Sequence, residues 1–204
     1  ELAEGRPLHI AHINSYCRGA VAEPLREAQE AVELLQRAPQ IRSESYLNPF
    51  NGTSRKCEGG KILSEVTKRC CRTGGYADTE EGLAEAIRSS YCRVVRLQGG
   101  ENVHISGEAG AAAWRKEKTD VTVSFPVNAT EAQFALAPMK DGDGNFIVDA
   151  LCTDGGGIPR NSMVRQGLAM VRFGALSPAD FVRKTSANAA EMLGLAGKAQ
   201  LGPG

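Results

Sequence analysis

Between Pro7 and Leu47 the apolar pattern changes period twice, and this constrains the fold more than any other feature of the chain. Leu8-His-Ile-Ala-His-Ile13 is a short, mostly apolar run after Pro7 and before Asn14-Ser15, the form of a buried parallel strand. From Glu23-Pro24 the period lengthens. Leu25, Ala28, Val32 and Leu35 fall on one helical face, Pro24 suits the first turn and Pro39 closes the helix. A second strand, Ile41 to Leu47, follows at once. Strand, helix and strand within about forty residues form a βαβ unit, which implies a parallel sheet. The spacing predicts an α/β fold.

The middle of the chain is less regular. Residues 48–75 are rich in Gly, Asn, Ser and basic side chains and read as a long loop with one short helix. Its cations, Arg55, Lys56, Lys61, Lys68, Arg69 and Arg72, form either a solvated basic loop or a mobile clamp over substrate. Thr79 to Ser89 reads as a capped amphipathic helix with Leu83 and Ile87 inward. Short strands are expected at Val94–Leu97, Val103–Ile105 and Val121–Phe125, with a helix start at Ala109–Trp114. In the last third, Asn145 to Thr153 reads as a strand running into Asp154-Gly-Gly-Gly-Ile-Pro159. Helices follow from Ser162 to Phe173, from Pro178 with Phe181 and Val182 inward, and from Thr185 or Ser186 to Leu193-Gly194.

Composition removes several function classes. Acidic and basic residues balance, 24 against 24, so no excess of cations marks a nucleic-acid or anionic-membrane partner. No apolar run approaches the ~20 residues that span a bilayer, and the first residues lack the form of a signal peptide. The six cysteines show no Cys-x-x-Cys pair, and reduced thiols in a cytoplasmic protein are the expected state. The sequons Asn51-Gly-Thr53 and Asn128-Ala-Thr130 carry no weight without a secretory signal.

In parallel α/β folds the chemistry gathers at the C-terminal ends of strands. His12, near the end of the first strand, and Asp154, at the end of the late strand, fit that position. An imidazole and a carboxylate at neighbouring strand ends suit a divalent metal, and the carboxylate can also move a proton. The glycines after Asp154 allow close approach of a ligand, which makes Gly155 and Gly156 substrate-binding candidates. Residue by residue, a lone strand histidine or an Asp-Gly turn is more often structural.

Longer segments carry a family resemblance. Pro7-Leu-His-Ile-Ala-His-Ile-Asn-Ser15, a helix, and Arg42-Ser-Glu-Ser-Tyr-Leu47 resemble the sixth and seventh strands of the cyclic amidohydrolases, the hydantoinase and dihydroorotase group. Val123-Ser-Phe-Pro126, Asp141-Gly-Asp-Gly-Asn145 and Thr153-Asp154-Gly155 resemble the approach to the eighth strand of the same enzymes. The tail, from Gly174-Ala-Leu-Ser-Pro178 through Lys184-Thr-Ser-Ala-Asn-Ala-Ala-Glu-Met-Leu-Gly-Leu195 to Gly204, is the most specific part.

The resemblance implies the C-terminal part of a metal-dependent (β/α)₈ barrel over residues 1–195, roughly strands six to eight with their helices. Residues 196–204 would begin the segment leading to a small β-sandwich. It implies His12 and Asp154 as metal ligands, zinc as the metal (one or two ions), and Asp154 as general base and then proton donor to the leaving nitrogen. Ser124 would position the substrate amide. His9, three residues from His12, would turn to the other face as a supporting or core residue; Glu44 and His104 remain open to structural roles. Gly155 stands where the hydantoinases usually have His, which brings the chain nearer to the N-acyl-D-amino-acid deacylases. The family's His-x-His pair, its barrel lysine and its fifth-strand histidine have no counterpart here. A second polypeptide completing the barrel and sharing the metal is therefore expected, with a small-molecule amide as substrate. A non-catalytic structural or regulatory barrel subunit is the alternative.

Overall fold

A computed structural model describes residues 6–53, 56–154, 162–195 and 197–198. Its α/β character begins as the period change requires. Strand β1 (Leu8–Ile10) leads through a short 3-10 turn (Ile13–Tyr16) to helix α1 (Pro24–Arg37) and then to β2 (Ile41–Tyr46). β1 and β2 pair in parallel, Leu8 beside Ile41 and Ile10 beside Ser43. Pro24 opens α1, and Glu27 in its first turn accepts hydrogen bonds from the Gly19, Val21 and Ala22 amides. Those backbone donors, Val21 first, hold the Glu27 carboxyl below its ordinary range despite the opposing effect of burial. Ala28 and Leu35 are buried as expected; Leu25, expected on the same face, is 49% exposed. It lies on the first turn, beyond the end of the face that packs.

The remaining elements are β3 (Asn51–Thr53), β4 (Cys57–Glu58), β5 (Lys61–Ile62), α2 (Glu65–Thr73), α3 (Glu80–Arg88), β6 (Arg93–Gln98), β7 (Glu101–Ile105), α4 (Gly107–Lys116), β8 (Val123–Phe125), α5 (Thr130–Leu136), β9 (Ala150–Cys152), α6 (Ser162–Arg172), α7 (Pro178–Thr185) and α8 (Ala187–Met192). Within the expected 1–195 portion the described residues divide into two compact units. The first holds 6–48, 128–153 and 162–195; the second holds 49–53, 56–127 and 154.

In the first unit β9 pairs in parallel with β2, Glu44 beside Ala150 and Tyr46 beside Cys152, giving a three-stranded parallel sheet in the order β1-β2-β9. Among the described residues this sheet is open, with β1 and β9 as outer strands. Ile13, Ala28 and Leu35 form one core with Ala132, Leu136 and Val148. Leu47 and Leu151 form another with Met170, Leu176 and Phe181. Gly167 sits mid-helix in α6 because the Phe181 ring occupies the place of its Cβ, with the nearest ring atom 2.1 Å away. Ser177 caps α7 by accepting from the Asp180 amide, and Gly194, at φ +67°, follows α8 as expected. Val182, expected inward, is 60% exposed, because the inward face of α7 is set by Phe181 and Lys184. The strand expected from Asn145 to Thr153 is confined to β9, since Asp141 binds the Asp143 and Asn145 amides and holds a turn there.

The second unit is built on an antiparallel sheet in the order β3-β8-β6-β7, with α2, α3 and α4 supplying its core. The long loop expected over 48–75 contains β3, β4, β5 and α2. Strands of two or three residues are too short to show a period, and β3 finds its partner in distant β8, Asn51 beside Phe125. The helix expected at Thr79 is α3: the Thr79 hydroxyl accepts from the Gly82 amide, and Leu83 and Ile87 are fully buried. No helix among the described residues is long and apolar enough to cross a membrane.

Candidate metal centre

The turn after β1 delivers His12, β2 delivers Glu44 from two residues before its C-terminal end, and β9 delivers Cys152 from its last residue. β1 ends at Ile10, and the chain turns so that His12 adopts a left-handed conformation, φ 56° and ψ 49°, ahead of the 3-10 turn. That conformation is uncommon for a non-glycine residue, though less so for His than for most. The turn brings Nδ1 of His12 to 3.3 Å from Oε1 of Glu44 on β2 and 3.4 Å from Sγ of Cys152 on β9. The three ligand atoms all lie within 4.8 Å of one another. His9 donates from Nε2 to the other Glu44 oxygen at 2.6 Å. Expected on the opposite face, His9 instead converges on Glu44 with His12, because the alternation of strand side chains stops at Ile10.

The His12 turn is pinned from below. Asn14 donates from its side-chain amide to the Tyr46 carbonyl at 3.2 Å and accepts from the Tyr46 amide at 3.1 Å, extending the sheet's pairing with a side chain. The buried Tyr46 hydroxyl shares a hydrogen bond with Ser15, accepts from Arg18 and donates to Asn128. Its ring meets the His12 ring edge-on at 5.5 Å. At the other end of the strands, Arg42 and the Ser43 amide both donate to the Asp149 carboxylate, at 2.6 and 2.9 Å, fixing the β2–β9 register that puts Cys152 beside Tyr46. Lys184, fully buried, donates to the Val148 carbonyl and lies over the Phe146 ring. Burial pulls its pKa down to about 7, against the opposing pull of Asp149 and Asp180.

One imidazole nitrogen faces both the carboxylate and the thiol. A Cys–His–carboxylate relay uses the two ring nitrogens separately, one toward the nucleophile and one toward the orienting carboxylate. Two partners sharing Nδ1 is instead the arrangement of groups aimed at a common point. A tetrahedral ion bound at about 2.0–2.3 Å spaces its ligand atoms by about 3.3–3.6 Å, and the two His12 distances, 3.3 and 3.4 Å, match that edge. The nitrogen, oxygen and sulfur donors suit zinc and its neighbours rather than magnesium or calcium, and three protein ligands leave a position for substrate. The residues fit such an ion.

Of the residues singled out from sequence, His12 is a member of this group. Asp154 lies two residues past β9, also left-handed at φ 45°, and groups with the second unit. Ser124 is fully buried on β8 of the second unit. Gly155 and Gly156 lie outside the described residues. Sequence reasoning left Glu44 between site and core and passed over Cys152. The signal for Cys152 was its place at the end of the same strand run that singled out Asp154. Comparison with protein-family models, with curated proteins and with solved structures returns no match.

Proposed function

We propose that this chain is a metal-dependent hydrolase of amide or cyclic-amide C–N bonds, with His12, Glu44 and Cys152 holding a zinc-like ion and, from the sequence resemblance, Asp154 as general base. The observation that carries this reading is the convergence of three ligand atoms, from the turn after β1, from β2 and from the last residue of β9, on one parallel sheet. Such an ion, when bound, polarises the substrate carbonyl and makes water acidic enough to ionise near neutral pH. His9 holds the Glu44 carboxylate in orientation, and Asn14 and Tyr46 hold the His12 turn. The role that the sequence resemblance gives Asp154 is to take the proton of the attacking water and return it to the leaving nitrogen as the C–N bond breaks and a C–O bond forms.

The proposal extends to the C-terminal part of a (β/α)₈ barrel that a second polypeptide completes. The order β1-β2-β9, all parallel, supports it, as does the exposure of outer strand β1, where Leu8 is 42% exposed. Strands of parallel sheets are ordinarily covered on both faces. A cytoplasmic location is proposed with it, from the cysteine spacing in the sequence, which shows no Cys-x-x-Cys pair. The Asp154-Gly155 sequence favours an N-acyl amino acid as the second substrate class.

The test is hydrolysis of hydantoin or dihydropyrimidine rings and of N-acetyl-D-amino acids by the native protein with whatever co-purifies. Activity should disappear on chelation and return with zinc, and Asp154→Asn should lower kcat by about 10²–10⁴-fold. Full activity in either the chelated protein or the variant overturns the reading. Stoichiometric metal without hydrolysis of any of these substrates gives the structural-subunit alternative.

A further inference from the structure

The antiparallel sheet of the second unit has one face committed to its helices: Val94, Val123 and Phe125 are fully buried in that core. Strand alternation puts the intervening residues on the other face. The register sets Arg93 beside Ser124, Ser124 beside Gly52, and Val95 beside His104. The Arg93 guanidinium lies over the Phe50 ring, 4.3 Å from its centroid. The His104 ring is 5.1 Å from the same ring, tilted by 52°. A cation and an imidazole therefore flank one aromatic ring, with the small residues Gly52 and Ser124 in the neighbouring row.

Two polar atoms in this cluster are buried without a hydrogen-bond partner, Nε of Arg93 and Nε2 of His104. Among the described residues no carboxylate pairs with Arg93. Buried donors are nearly always satisfied, and a half-buried guanidinium ordinarily meets an anion. Burial and then the charge of Arg93 push the His104 pKa down to about 4, so the ring is neutral near pH 7 and has one N–H to donate. A forked cationic donor, a neutral imidazole and an aromatic wall share one complement: an acceptor with negative charge.

We propose that Arg93 and His104, walled by Phe50, form a binding site for an oxyanion, the carboxylate or phosphate of a small molecule. The fork of Arg93 takes two oxygens, His104 donates from Nε2, and Phe50 holds the guanidinium plane in place. The site stands independently of the metal reading, since its residues all belong to the second unit.

The experiment uses the full chain freed of metal, with inorganic phosphate and sodium acetate as separate probes at constant ionic strength. The His104 ring resonance, identified with His104→Gln, is followed by NMR, with His9 as the internal control. At least one probe should give a saturable shift at His104 alone, at least tenfold weaker in Arg93→Gln. Phosphate saturating without acetate identifies a phosphate ligand, and the reverse a carboxylate. Phe50→Leu keeps both donors and should weaken binding severalfold, which covers the case of a misfolded Arg93→Gln. Linear shifts with both probes, or saturation unchanged in a folded variant, overturn the proposal.

Discussion

The two units bury different things. Among the described residues the first unit encloses Asn14, Glu27, Ser43, Ser45, Asn48, Asn128, Gln133, Asp149 and Lys184, whereas the buried polar residues of the second are Thr67, Thr119 and Ser124. The second unit's core is instead Leu83, Ile87, Val94, Trp114 and Phe125, with four thiols, Cys57, Cys70, Cys71 and Cys92, packed among them. Interior polar groups are costly unless satisfied; Asn14 and Asn128 are tied into the bonds that fix the His12 turn, Asp149 into those that fix the β2–β9 register, and Asn128 and Gln133 into the Asn48 carbonyl. The first unit spends its interior on holding a site in position, the second on packing. The second unit's four thiols are buried hydrophobes, as is Cys17 in the first unit, while Cys152 is part-exposed and faces His12.

The sharpest way to break that comparison is in the second core. Trp114 is fully buried there, and its indole nitrogen has no hydrogen-bond partner, so its contribution is packing. Trp114→Ala should cost the second unit about 3–5 kcal/mol, measured as accelerated hydrogen exchange of amides in α3, β6 and β8. A loss below about 1 kcal/mol would show that the second unit does not depend on a dry core.

A smaller effect separates the units by pH. The Lys184 amine has a folded pKa near 7 against an ordinary 10.5, so the unfolded chain binds the extra proton between those values. Stability of the first unit therefore rises with pH between about 7 and 9, by up to about 1.4 kcal/mol per pH unit, and above pH 9 its own buried Cys17 thiol, raised to about 11, opposes the rise. In the second unit burial raises the Cys57 thiol to about 11 and the Cys71 thiol to about 12, from 9.0. Those thiols stay protonated in the folded state while the unfolded ones ionise, so stability there is present below pH 9 and is lost above it. Lys184→Met should flatten the rise between pH 7 and 8.5 and leave the decline above pH 9 in place, read by unit-resolved hydrogen exchange. A variant that keeps the rise contradicts the assignment to Lys184.

The fold was legible where long segments repeat a period. Leu25, Ala28, Val32 and Leu35 at helical spacing behind Pro24, between two apolar runs, sufficed for β1, α1, β2 and their parallel pairing, though Leu25 proved exposed. Thr79 and Ser177 announced their helices by chemistry, through hydroxyls that cap. In the second unit α3, α4, β6, β7 and β8 were legible as elements, but β3 to β5 and the assembly of the sheet were not, because the sheet pairs residues distant in the chain, such as Gly52 with Ser124, and β3 to β5 are too short to alternate visibly. At the site, His12 was readable as a histidine at a strand end, but its partners depended on where the strand stopped. Two residues of turn after Ile10 decide that His9 and His12 share Glu44, and no spacing rule gives that. Cys152 was hidden because a single thiol at a strand end has no motif; only the parallel register carries it to His12.

The central claim is that His12, Glu44 and Cys152 close on one ion, and cobalt(II) titration of the purified, metal-free protein tests it most directly. The wild type should take up one equivalent with the absorption of a cobalt–thiolate bond. Cys152→Ser should lose that absorption, and His12→Ala and Glu44→Gln should each weaken uptake by roughly 100-fold or more. His9→Gln, which removes only the hydrogen bond to Glu44, should weaken it by about tenfold. A wild type without the thiolate absorption, or a Cys152→Ser variant that retains it, would contradict the account.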